Sequence, residues 1–172
     1  HDTVRRQRQM CIRDRTQTGS AEEVADEVKE ALEAEGYSVG YRDLADESDL
    51  GFLSDATFLI GVVSTWGDGE PPDDAVPFFD LLRESPPMGL AKTPLAIMGL
   101  GDSGYDIFNG CGKELEKELI RHGGYSIIPR VDCDVWYEDE LSQWLNDLRR
   151  TLASQGAAPV SYTHLTLPTN CV

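Results

Sequence analysis

The sequence predicts an α/β protein with a doubly wound parallel sheet. Apolar runs of strand length alternate with amphipathic helical segments, and the two central runs are apolar at nearly every position, as strands covered on both faces must be. A glycine-bearing loop also follows three of the expected strands. Such alternation calls for right-handed crossovers that place helices on both faces of the sheet.

The elements follow in order. The first candidate strand, Gln9 to Ile12, is poor because arginines surround it. Ser20 and Glu23 form a capping box, and Val24, Val28 and Leu32 with Ala21, Ala25 and Ala31 give one apolar face, so a helix is expected from about 20 to 35, ending near Gly36. Residues 37–42 read as a short strand and 46–53 as a brief helix or turn. Residues 57–64 (TFLIGVVS) are a continuous apolar run and should form the sheet centre. Residues 73–84 carry Val76, Phe79 and Leu82 at helical spacing, with Pro71 and Pro72 just before the start. Residues 94–100 (PLAIMGL) form a second buried strand. A helix over 107–122, with Cys111, Leu115 and Leu119 on one face, stops at Gly123 and Gly124. Residues 125–131 supply the last strand, where Pro129 favours an edge. Leu141, Trp144, Leu145, Leu148 and Leu152 stripe one face of the final helix and are core positions rather than cofactor contacts.

At 172 residues and 40% hydrophobic content, one globular domain is expected. No apolar run approaches the roughly 18 to 20 residues that span a bilayer, and the Arg-rich head lacks the apolar centre of a secretory signal, so the expected compartment is the cytoplasm. Cys11, Cys111, Cys133 and Cys171 show no CxxC spacing, which argues against zinc or a dithiol pair and for unpaired thiols. The net charge is −16. Residues 1–15 hold five arginines and two aspartates, leaving 10 basic and 29 acidic residues in the rest. That excess excludes nucleic acid and anionic membranes as partners and favours a protein with a basic docking face, unless it serves solubility alone.

Both ends differ from the middle. Residues 1–15 are basic and aperiodic, and 161–172 (SYTHLTLPTNCV) contain no charged Lys, Arg, Asp or Glu side chain. Both resemble translated adapter sequence, so 1–15 and 156–172 are expected to be non-native extensions of a domain at 16–155.

The three loops carry the chemistry. In TQTGSA (16–21), Thr16, Thr18 and Ser20 offer hydroxyls, Gly19 permits a tight turn, and the amides opening the first helix face an anion; plain helix capping is the simpler use of the same residues. Neither a Walker Gly-Lys-Ser/Thr nor a GxGxxG is present in this first loop. In STWGDGEPP (64–72), Gly67 and Gly69 allow close backbone approach and Trp66 can stack on a flat ring, or lie on the core. In GLGDSGYDIFN (99–109), Gly99, Gly101 and Gly104 are flexible points and Tyr105 can stack, whereas Phe108 suits the core. Asp68, Asp102 and Asp106 fit loop capping better than metal ligation, so no metal is expected. Together the loops read as a flavin mononucleotide (FMN) site.

These loops, their spacing, and the run VDCDVWY (131–137) resemble the flavodoxin-like FMN domain of diflavin reductases, with the flavoprotein subunit of NADPH-dependent sulfite reductase nearest and the FMN half of cytochrome P450 reductase next. The resemblance covers about residues 16 to 153. It implies a five-stranded sheet of order 2-1-3-4-5 with FMN at the strand 1/strand 3 switch point. By position, Thr16, Gln17, Thr18, Gly19, Ser20 and Ala21 would hold the phosphate. Ser64, Thr65, Trp66 and Gly67 would take the ring edge and one face. Leu100, Gly101, Asp102, Ser103 and Gly104, with Tyr105, Asp106, Ile107, Phe108 and Asn109, would take the opposite face and the ribityl chain. Trp66 stands where relatives often carry Tyr or Gln, and Gly104 replaces a common Ser. The departure of most consequence is RQRQMCIRDR (6–15) in place of an apolar central strand.

FMN does the redox chemistry in such a domain and the protein supplies position and field, so no catalytic residue is expected. Gly67 to Gly69 is the candidate control on the ring's potential, and the surrounding carboxylates should keep that potential low. In the family, FAD and NADPH belong to a separate reductase domain, which passes electrons through FMN to an acceptor redox protein. The chain is then either part of such an oxidoreductase or a free-standing carrier. From a different class, a receiver-like signalling module and a cofactor-free interaction domain share the fold, but the receiver's acidic pair, acceptor Asp and Lys are not convincingly placed.

Overall fold

The computed structural model describes residues 11–12, 20–65, 69–90, 92–154 and 166–167, with backbone only at 11, 12, 20, 166 and 167. The elements run β1 (Cys11–Ile12), α1 (Ser20–Ala34), β2 (Tyr41–Arg42), a 3-10 turn (Leu44–Asp46), α2 (Gly51–Ser54), β3 (Leu59–Ser64), a second 3-10 turn (Asp73–Ala75), α3 (Val76–Glu84), β4 (Pro94–Leu100), α4 (Gly110–Arg121), β5 (Tyr125–Ser126), β6 (Val131–Cys133), α5 (Glu138–Ser154) and β7 (Thr166–Leu167). The sheet order is β2-β1-β3-β4-β5, with every described pairing parallel.

The apolar runs explain the centre. All six residues of β3 are buried, as are six of the seven in β4, because helices cover both faces. On one face, α1 and α5 lie together, joined at the rim by Arg149 Nε to Glu35 Oε1 at 3.1 Å. On the other, α3 and α4 pack side by side, with Arg83 bonded to both carboxylate oxygens of Glu114. Phe78 and Phe79 of α3 are fully buried, each stabilising the fold by roughly 1.5–3 kcal/mol. The last carbonyls of α3 are also satisfied from α4: Arg121 Nη2 donates to Leu82 O at 2.7 Å and to Ser85 O at 2.9 Å.

Several boundaries move from the sequence reading for physical reasons. The second strand shrinks to Tyr41–Arg42, pairing only with the two residues of β1. The fourth helix starts at Gly110, not at 107, because Asn109 takes the left-handed conformation, φ 52°. The last strand is split. Pro94 and Leu95 pair with Tyr125 and Ser126, whereas Met98, Gly99 and Leu100 pair with Val131, Asp132 and Cys133, so two extra residues are accommodated around Pro129.

Beside β3, the central position is occupied by two short segments. Cys11 of β1 pairs with Ile60, and Thr166 and Leu167 of β7 pair with Ile60 and Gly61. The polar substitute for a first strand thus contributes two paired residues, and the late segment contributes two more.

The reading of unpaired thiols is corrected at one position. Cys133 is free and buried, but Cys111 is disulfide-bonded. Sequence spacing misses this because the fold, not chain proximity, decides which thiols meet.

Candidate functional site

The strand order reverses between β1 and β3, and ligands of open α/β sheets sit beyond the carboxyl ends of strands at such a point. Two of the three glycine loops are described there. They leave adjacent strands at the same level, since Ser64 and Leu100 are register partners, and Thr65 N–H continues the ladder to Leu100 O at 2.9 Å.

Ser64 is buried and Thr65 half-buried. Thr65 Oγ1 accepts from the Cys111 N–H at 3.0 Å, so its hydroxyl caps the first turn of α4. Asn109, in the N-cap position, makes no side-chain cap bond of its own. Gly69, at φ +91°, touches the same helix: a Cβ at Gly110 would lie 2.7 Å from Gly69 O, and one at Gly69 would lie 2.5 Å from Ile107 Cγ2. Backbones approach this closely only because both positions are glycine. Trp66 and Gly67, with Asp68, lie outside the described residues.

The loop at 101–109 is held by polar ties. Gly101 N–H donates to Cys133 O at 3.0 Å, extending β4 toward β6. Asp102 Oδ1 accepts from Gly104 N–H at 2.8 Å, the loop-capping role its position predicts. Asp134 reaches across from the segment after β6, accepting from Ser103 N–H at 3.0 Å and from the Ser103 hydroxyl. These bonds hold the Asp134 carboxyl below its ordinary value of 3.8, the Ser103 hydroxyl being the largest cause. Behind the loop, burial above all, then Glu140 and Asp132, pushes the Cys133 thiol up to about 12, so it stays protonated and chemically quiet.

The side chains of this loop divide. Tyr105 is 53% and Ile107 49% exposed, while Asp102, Ser103, Gly104 and Asp106 are exposed on the same loop. Leu100 is in the core and reaches the site only through backbone. Phe108 is half-buried and stands outside the core cluster. Asn109 is fully buried; its Nδ2 donates to Cys133 O at 3.3 Å and its Oδ1 has no partner. A Cβ at Gly101 would fall 2.5 Å from that oxygen, so bare backbone borders an unsatisfied acceptor. Of the phosphate-loop residues, Thr16 to Gly19 lie outside the described residues, Ser20 begins α1, and the Ala21 side chain is fully buried.

Sequence reasoning missed Trp136. It is 81% exposed, next to Val135 at 55%, and both directly follow the Asp134 that holds Ser103. The available signal was an aromatic residue outside every apolar period, in a run used only for its resemblance.

The site suits an uncharged flat ring with a hydroxylated chain. It combines bare glycine backbone, an exposed tyrosine and an orphaned buried acceptor, with no Lys or Arg in 93–112. A family model described as Flavodoxin matches residues 15–144. The sulfite reductase [NADPH] flavoprotein alpha-component of Bacillus subtilis (strain 168) is 37% identical over 147 residues, covering 84% of this chain and 24% of that one. The protein of the same description from Vibrio parahaemolyticus is 34% identical over 149 residues, again 84% and 24%. Among solved structures, oxidised Flavodoxin 1 from Bacillus cereus superposes with a TM-score of 0.72 at 22% identity, covering 85% of this chain and 97% of that one. Flavodoxin 2 from the same organism gives 0.70 at 25%, covering 86% and 99%. The chain belongs to the flavodoxin family, as a domain homologous to part of the sulfite reductase flavoprotein subunit. It spans about a quarter of the length of those curated relatives. Among the described residues, no helix is long and apolar enough to cross a membrane.

Proposed function

We propose that the chain is an FMN-binding electron-transfer domain that relays single electrons from an FAD- and NADPH-using reductase module to an acceptor protein. The observation that carries this is the pair of loops leaving β3 and β4 at one level, where the strand order reverses. When bound, FMN supplies the capacity to take up electrons in pairs or singly and release them singly. The chain's own residues supply the rest. Thr16 to Ala21 would hold the phosphate at the α1 amino terminus, where the positive end of the helix favours an anion. Ser64 to Gly67 would border one side of the ring, Trp66 offering a face to stack on it. Leu100 to Asn109 would border the other, with Tyr105 able to stack on the ring and Asn109 Oδ1 a buried acceptor without a partner beneath the Gly101 backbone.

Charge supports a basic partner. No Lys or Arg occurs in 43–82, 93–112 or 131–148, the segments that contain the loops at this end, whereas Glu70, Asp73, Asp74, Asp102, Asp106, Asp134 and Glu138 do. Trp136, with Val135, gives that acidic rim an apolar centre.

Titration of the purified chain with FMN tests the reading. Binding at about a micromolar or tighter is expected, with perturbed flavin bands near about 375 and 450 nm and quenched flavin fluorescence. Unchanged spectra would overturn it. With the FMN-loaded, reduced chain and a basic haem protein such as horse cytochrome c as acceptor, Trp136→Ala should slow transfer about tenfold while leaving FMN affinity unchanged. An unchanged rate would remove Trp136 from the docking face.

A further inference from the structure

We propose that the amino terminus of α4 is a latch that sets the flavin slot, with the Thr65 hydroxyl and Gly110 acting through the loop backbone they fasten. The inference rests on the FMN reading of this site and deepens it.

A helix start leaves its first N–H groups without intrahelical partners. In α4 the residue in the capping position, Asn109, is left-handed and supplies no cap bond. The Cys111 N–H is instead satisfied by Thr65 Oγ1 from a loop 46 residues earlier in the chain. Thr65 is therefore tied twice, by its N–H to Leu100 O at the end of β4 and by its hydroxyl to the start of α4. Four residues later, Gly69 meets the same turn, with its carbonyl and Cα so close to Gly110 that a Cβ there would lie 2.7 and 2.9 Å from them. Ile107 closes over Gly69 from the third loop.

Thr65 and Gly69, the described parts of the second loop, are thus both seated on one helical turn, and the loop at 101–109 runs directly into that turn. The two sides of the slot are fastened to each other rather than each to its own strand alone. Loosening the latch changes how the backbone beside the ring meets each redox state, and so changes their relative affinities.

The test uses the full chain loaded with FMN and compares wild type, Thr65→Val, Thr65→Ser and Gly110→Ala. The readouts are FMN affinity and the two one-electron midpoint potentials from spectroelectrochemical titration. Thr65→Val is isosteric but cannot accept the Cys111 bond. It should shift the ratio of affinities for successive redox states about tenfold, which is about 59 mV for a one-electron step. Thr65→Ser should restore the wild-type value, and Gly110→Ala should shift it as Thr65→Val does. Potentials unchanged in Thr65→Val and Gly110→Ala, with only a lower melting temperature, would overturn the latch while leaving the FMN site intact. A wild-type chain that binds no FMN would overturn the site reading and the latch with it. Should Thr65→Val and Gly110→Ala fail to fold, Thr65→Ala removes the same acceptor with no added branched packing and carries the same measurement, with a shift supporting the latch and none overturning it.

Discussion

The loops that follow β3 and β4 stand side by side at the same end of the sheet, yet they are held by different physics. The first is seated by close packing, Gly69 against Gly110 under Ile107, with one hydroxyl bond from Thr65. The second is strung between carboxylates and amides, Asp102 to Gly104 and Asp134 to Ser103, with its tyrosine turned to solvent. Packing without spare volume tolerates no added atom but is indifferent to acid, whereas polar ties tolerate substitution in shape but fail when a carboxylate takes up a proton.

Gly110→Ala should strike hardest, because its methyl group meets backbone that cannot rotate away; a loss of about 2–3 kcal/mol is expected in denaturant unfolding. A change under 0.5 kcal/mol, roughly the size of a neutral surface substitution, would show that the two backbones part easily. On the other loop, Asp134→Asn should leave global stability nearly unchanged and speed hydrogen exchange at the Ser103 amide. Unaltered exchange there would mean the tie is not what orders the loop. Acid should act on this same tie. The folded Asp134 pKa is depressed, so its stabilisation is fully present above the ordinary value of 3.8 and is lost as pH falls through the lowered one. Ser103 protection should therefore collapse at lower pH in wild type and stay flat in Asp134→Asn, while the exchange of Cys111, capped by Thr65, should not follow that titration. The smallest effect is expected at Cys133, buried and shifted to about 12: iodoacetamide should leave it unmodified in the folded chain at neutral pH.

Much of the fold was legible because its signals are local. Unbroken apolar runs marked β3 and β4, the latter to the residue, and one-sided stripes marked α1 and α5. The glycines of the two described loops marked where backbone comes close, although the partner of Gly69 turned out to be Gly110 as well as any ligand. What stayed hidden depends on pairs distant in sequence. The bond from the Cys111 N–H to the Thr65 hydroxyl leaves no mark in the sequence, and the start of α4 shifts because Asn109 adopts a conformation that helical periodicity does not register. Ser103 gains its meaning from Asp134, 31 residues later. Trp136 resembles a core residue by type and is the most exposed of the large hydrophobic side chains among the described residues.

The split between β5 and β6 has a consequence for how molecules of this chain meet one another. An uninterrupted outermost strand would offer a ruler of unpaired amides and carbonyls on which a second chain could add in register. Two surplus residues and a proline without an amide hydrogen break that ruler after two residues, so self-templated stacking along this flank finds no continuous track.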